Sequence, residues 1–148
     1  MISRGITKQD YDYIVAVLDR WFGGLAHDRA HPVFFYELGE KALIAEEHGE
    51  TVGFLLGFTI QSSPSGPITG YIHLVGIKPE SRRQGVGRAL YDTFIKRCVA
   101  GGATRIKAIA PIANDESARF HRALGFSVKE DINYAGPGRG RLVFLKDL

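Results

Sequence analysis

The chain has 148 residues, 45% of them hydrophobic and 24% charged, with a formal net charge of +3; this is the balance of an ordinary soluble globular domain spanning 1–148. Its longest apolar run, residues 52–60, is too short to cross a bilayer, and its lone Cys98 excludes an internal disulfide. Lysine and arginine form no long block, which argues against a nucleic-acid binder, and the start of the chain carries no signal-peptide core, so the sequence reads as cytoplasmic.

Residues 2–6 read as a first strand. Thr7-Lys8-Gln9-Asp10 reads as a capping box opening a helix, with Ile14, Val15, Val17, Leu18 and Trp21 on its apolar face and Gly23-Gly24 as its stop. A second helix is expected over 28–38, with Pro32 near its start. Residues 42–47 and 51–60 read as strands joined by a tight turn at His48-Gly49. A loop over 61–67 leads to a strand at 70–77 and a helix at 86–100 whose inner face carries Val86, Leu90, Phe94 and Cys98. Residues 104–110 form a further strand. Asn114 or Asp115 caps a helix running to Leu124 and closed by Gly125. The last two strands, 126–132 and 141–146, flank a glycine-rich loop. The order β-α-α-β-β-β-α-β-α-β-β predicts the α/β class, with an α+β mixed sheet around a central β-α-β unit at 70–110.

The most informative stretch is Arg82-Arg83-Gln84-Gly85-Val86-Gly87-Arg88, between the strand at 70–77 and the helix at 86–100. A glycine-bearing turn opening a helix aims backbone N–H groups and the helix dipole at one spot, which suits phosphate. No Walker loop is present, and Leu90 stands where a dinucleotide fingerprint needs its third glycine. What remains is Arg-x-x-Gly-x-Gly. Gly85 and Gly87 let the backbone approach a pyrophosphate, and Arg82, Arg83 and Arg88 are candidates to pair with its oxygens. The alternative is a glycine-rich helix start with solvated arginines.

These residues resemble the Arg/Gln-x-x-Gly-x-Gly/Ala motif of the GNAT superfamily of N-acetyltransferases. A second block agrees at the expected separation: Asn114, Ala118, Phe120, then Leu124-Gly125-Phe126. The resemblance covers residues 41–147, and the first 40 only by element order. It implies a GNAT-like acyl-CoA N-acyltransferase fold with acetyl-CoA as co-substrate. The pyrophosphate would lie on the amides from Gln84 to Arg88. The pantetheine arm would lie along Val75, Gly76 and Ile77, where the strand at 104–110 must diverge, with Asn114 and Ser117 beside it. The amine would attack directly, with no acyl-enzyme and no metal.

Two departures from the family pattern bear on catalysis. His73 occupies the slot where some relatives place a glutamate base; Glu46 and Glu47, acting through water, are its rivals. His121 occupies the slot where many relatives carry a tyrosine acid. It would either donate as imidazolium or face solvent and leave the thiolate to water. A main-chain N–H of 75–77 would hold the oxyanion. The acceptor would meet Trp21-Phe22-Gly23-Gly24, Phe34-Phe35-Tyr36, and Tyr134 and Arg139 near the closing loop, with Glu37, Glu40, Glu46 and Glu47 attracting a cationic amine. The partner is an amine-bearing acceptor, a small molecule ahead of a protein N-terminus or lysine, with neither nucleic acid nor membrane; a homodimer is compatible. The alternative functional reading is a CoA-binding regulatory module without catalysis.

Overall fold

The computed structural model describes residues 1–24 and 26–148. Strand β1 (Ile2–Gly5) enters helix α1 (Lys8–Phe22) through the expected capping box. The Thr7 hydroxyl accepts from the Asp10 amide, and the Asp10 carboxylate accepts from the Thr7 amide at 2.8 Å. Gly23 ends the helix in the left-handed region, at φ +69°. Ile14, Leu18 and Trp21 are buried as expected; Val15 is exposed, and Tyr11 takes a buried place instead.

The helix expected over 28–38 is not one helix. The chain makes a 3-10 turn (His27–Arg29), a single α-turn α2 (Val33–Tyr36) and another 3-10 turn (Gly39–Lys41). Pro32 does sit at the start of α2, where His31 Nδ1 accepts from the Val33 amide at 3.1 Å. The adjacent rings of Phe34 and Phe35 take different partners, Phe58 and Tyr11, so no apolar stripe at helical spacing develops.

Strands β2 (Leu43–Glu47) and β3 (Glu50–Gln61) form the expected hairpin, with His48 at φ +51° and Gly49 at φ +75°, the pair of left-handed residues a two-residue turn needs. Next in the chain come β4 (Ile68–Ile77), α3 (Val86–Ala100), β5 (Ala103–Ala110), α4 (Asp115–Ala123), β6 (Ser127–Asp131) and β7 (Arg141–Asp147). The seven strands form one mixed sheet in the order β1-β2-β3-β4-β5-β7-β6. Strands β4 and β5 run parallel and the other neighbours antiparallel.

Two cores cover the two faces. On one, Leu55, Ile72 and Phe144 pack with Val86, Leu90 and Phe94 of α3; on the other, Phe54 and Leu56 pack with Ile14, Leu18 and Trp21 of α1. Close approach of α3 depends on Gly57, where a Cβ would lie 2.7 Å from the buried Phe94 ring and 2.9 Å from the Tyr71 carbonyl oxygen. Gly57→Ala is therefore expected to lower unfolding free energy by about 1–3 kcal/mol in a denaturant titration, the range for an overpacked core.

Strand β4 is irregular in two places. Leu56 pairs with Leu74 but Gly57 with Ile72, so His73 is the extra residue of a β-bulge. The bulge puts His73, stacked on Phe34, and Leu74, packed in the α1 core, on the same face of the sheet. Pairing with β5 also runs only from Ile68↔Ala103 to Ile72↔Ala108, although both strands continue. Beyond Ile72 the sheet is split, and the β4 edge at 73–77 has no β5 partner.

Candidate active site in the split sheet

The loop after β4 turns through a 3-10 turn (Pro79–Ser81) and two left-handed residues, Arg83 at φ +61° and Gly85 at φ +83°. A Cβ on Gly85 would meet nothing within 4 Å, so glycine is needed there for its backbone angle. A Cβ on Gly87 would lie 3.4 Å from Phe120, so this glycine sets how closely α3 meets the side chains of α4. No side chain caps α3, which leaves the Val86, Gly87 and Arg88 amides without intrahelical partners at the positive end of a 15-residue helix.

A cavity of about 550 Å³ opens there. It is bordered by Val75, Gly76 and Ile77, by Arg82, Arg83, Gly85, Val86, Gly87 and Arg88, and by Asn114 and Ser117. The structure thus gathers the expected loop, strand edge and α4 start in one place. Gln84 is the exception: it does not border the cavity, and its side chain donates back to the Glu80 carbonyl at 3.4 Å. Arg82 departs from expectation in another way. Its guanidinium donates to the carbonyls of Trp21 and Ile77, so it fastens the end of α1 to the loop, and its remaining N–H groups stay beside the cavity. Trp21 borders the same cavity, and its buried indole N–H has no partner among the described residues.

A second cavity, about 530 Å³, lies where β4 and β5 part, between Tyr71–Val75 and Ala108–Pro111. The two cavities share Phe22, Val75, Tyr91, Asn114, Ser117 and His121. Asn114 caps α4 by accepting from the Ser117 amide at 3.0 Å, which spends its carbonyl oxygen and leaves its NH₂ group.

The junction holds a buried polar pair that sequence reasoning missed in part. His121 is 4% exposed and stacked 3.8 Å from the Phe144 ring, so it neither faces solvent nor sits where an imidazolium is favoured. Its Nδ1 lies 2.7 Å from the Ser117 carbonyl oxygen, which can only accept, so Nδ1 carries the proton. Nε2 is then bare and accepts from the Tyr91 hydroxyl at 2.8 Å. Burial pushes the His121 pKa below its usual value and the Tyr91 pKa far above its own. The pair is neutral at pH 7. Tyr91 follows Leu90 on α3 and was hidden in the helical pattern; its partner lies 30 residues away.

His73 borders the second cavity. Its Nε2 donates to the Arg29 carbonyl at 2.8 Å, which fixes the tautomer and leaves Nδ1 with a lone pair. Burial lowers its pKa, against the opposing effect of the hydrogen bond to the Arg29 carbonyl; the Arg29 charge adds a smaller lowering. The other candidate base is elsewhere: Glu46 accepts from Arg4 and borders a separate depression with Glu47, His48 and Met1. Glu37, Glu40, Tyr36, Tyr134 and Arg139 border neither cavity at the split; Phe22 borders both, and Phe34 stacks on the His73 ring at 3.8 Å. Cys98 is fully buried, with its thiol pushed up to about 11 by burial, and is inert.

Both histidines link stability to pH. Their folded pKa values lie below 6.5, so between those values and 6.5 the unfolded chain binds more protons. Stability from keeping the rings neutral is complete above 6.5 and is lost as pH falls below it. The exposed His27, whose pKa is raised by its hydrogen bond to Asp19, acts in the opposite sense. Urea midpoints at pH 7.5 and 5.5 should therefore show a drop at 5.5 that shrinks in His121→Phe; an unchanged drop would show that this ring titrates freely.

A sequence profile described as "Acetyltransferase (GNAT) family" matches residues 11–126. A mycothiol acetyltransferase of Propionibacterium freudenreichii subsp. shermanii is 32% identical over 91 residues, 61% of this chain and 28% of that protein. A phosphinothricin N-acetyltransferase of Streptomyces viridochromogenes is 32% identical over 66 residues, 45% of this chain and 36% of that one. The matches therefore span about a third of each relative. Among solved structures, Ard1 from Thermoplasma volcanium superposes with a TM-score of 0.79 at 21% identity, over 99% of this chain and 97% of that one; the likeness is one of fold.

Proposed function

The chain belongs to the acetyltransferase (GNAT) family, and we propose that it moves the acetyl group of acetyl-CoA onto the primary amine of a small molecule by direct attack. The observation that carries this reading is the meeting of two cavities at the split between β4 and β5: one ends on uncapped helix amides, the other is open to an acceptor. The residues fit the co-substrate. The α3 amides, with Arg83 and Arg88, suit a pyrophosphate. The unpaired β4 edge suits the amides of a pantetheine arm, added as a strand would be. The NH₂ of Asn114 is a further donor bordering that path. Acetyl-CoA supplies a thioester-activated acetyl carbon.

His73 is the base. Its Nδ1 takes the proton the amine loses as nitrogen bonds to the acetyl carbon, and its low pKa keeps it ready near neutrality. In the free protein the single Tyr91 hydroxyl proton is donated to His121 Nε2; during reaction it turns to the leaving sulfur, which keeps the electron pair of the broken C–S bond and is then protonated by water. His121 is a positioning residue that holds the Tyr91 hydroxyl. A polar, buried Tyr–His pair at the junction favours an enzyme over a CoA-binding module without catalysis.

Calorimetry with acetyl-CoA and thiol release across an amine panel test the reading together. Binding with amine-dependent release is expected, with His73→Gln keeping affinity and losing most of the release. Binding without release on any amine would leave the regulatory module, and no binding at all would remove both.

A further inference from the structure

The second cavity carries positive charge on its walls and no negative charge. Arg29 and Arg141 border it, and no aspartate or glutamate does. Elsewhere the chain pairs several cations with carboxylates: Arg4 with Asp10 and Glu46, Arg20 with Glu80, Lys78 with Glu50. Among the described residues, neither Arg29 nor Arg141 has such a partner. The Arg141 side chain makes one polar contact, donating from Nη1 to the Gly140 carbonyl at 2.7 Å.

This arrangement opposes a purely cationic acceptor. A free aliphatic amine is protonated at neutral pH, and an ammonium entering a cavity with two unpaired guanidiniums would be repelled. An amine with its own anion would be drawn in, and guanidinium is the side chain suited to a bidentate grip on a planar carboxylate. Arg29 and the base also share one wall of the cavity. The Arg29 carbonyl is bonded to the His73 ring, so that guanidinium springs from the residue that touches the base, and its charge is felt there.

We propose that the acceptor is a free amino acid, its carboxylate held by Arg29 and Arg141 while its amine meets His73 Nδ1. This rests on the amine-acetyltransferase reading and narrows it.

The test is thiol release from acetyl-CoA with the free amino acids, their C-terminal amides, the matching decarboxylated amines and peptides beginning with the same residues. Alongside it, melting temperature is followed in saturating CoA with the same compounds. At least one free amino acid is expected to react at a kcat/KM tenfold or more above its amide. Arg29→Ala and Arg141→Ala should each raise KM for that acid about tenfold, with KM for acetyl-CoA unchanged. Amides, amines or peptides that match or exceed the acids would overturn the inference and leave acetyl transfer standing. If acetyl-CoA binds and no amine reacts, the enzyme reading falls, and the melting data decide the site. Stabilisation by acids but not amides, lost in Arg141→Ala, keeps the carboxylate site; no such difference removes it.

Discussion

Replacing Gly85 by glutamate is expected to abolish acetyl-CoA binding while leaving a folded protein. Gly85 is the residue before α3, at φ +83°, beside the three amides that no side chain caps. A side chain there has open space, so the lesion is not steric in the free protein. It acts in two ways. A left-handed angle costs a non-glycine residue about 1–3 kcal/mol, which pulls the turn away from its shape. The carboxylate also competes for the same helix end as the pyrophosphate. Loss of two hydrogen bonds to a charged group, at about 1.5 kcal/mol each, is already roughly a 100-fold loss of affinity. Gly85→Ala separates the two contributions: it carries the backbone cost without the charge and should retain measurable binding. Calorimetry reads both variants. A glutamate variant that binds as the parent does would mean that the phosphates lie elsewhere.

The second large effect is expected at Tyr91. Tyr91→Phe removes one oxygen and keeps a ring against Phe120 and Phe126. If that hydroxyl stabilises the leaving sulfur, kcat falls by about 10²-fold, the loss seen when one donor to developing negative charge is removed. Affinity for acetyl-CoA changes little, because the interaction strengthens only as the C–S bond breaks. His121→Phe should lower kcat for the same reason at second hand. The double variant is the informative one: since His121 acts through Tyr91, the losses should not add. Full additivity would show that the two act separately, and an unchanged kcat in Tyr91→Phe would return the sulfur to water alone. Either single variant also leaves a buried polar atom without its partner, so unfolding curves must accompany the kinetics.

Much of the fold was legible because its signals are local. Thr7 and Asp10 are three residues apart, and His48-Gly49 adopts the two positive φ angles that its composition suggests. Val86, Leu90, Phe94 and Cys98 repeat at helical spacing and are all buried. The cofactor loop was legible for the same reason, as one contiguous run.

What was not legible depends on partners far along the chain. Arg82 shows its second role, fastening α1 to the loop, only once Trp21, 61 residues earlier, supplies a carbonyl for it. His121 looks like an imidazolium donor or a solvent-facing ring until Phe144 and Tyr91 close around it. Glu46 shares a strand end with Glu47, but Arg4 of β1 takes its carboxylate. The bulge at His73 follows from register against β3, a property of two strands together.

The parting of β4 and β5 also has a mechanical meaning. The sheet is two plates, β1–β4 and β5–β7, joined along the short ladder from Ile68 to Ile72. That ladder is the hinge, and it has no slack: a single methyl group on Gly70 would strike the Cys98 sulfur and Ile106, each at 2.7 Å. A tight hinge fixes the angle at which the plates diverge, so the width of the gap is determined at the end remote from it. Packing around Gly70, Cys98 and Ile106 touches neither substrate, yet it governs how far apart the two walls stand.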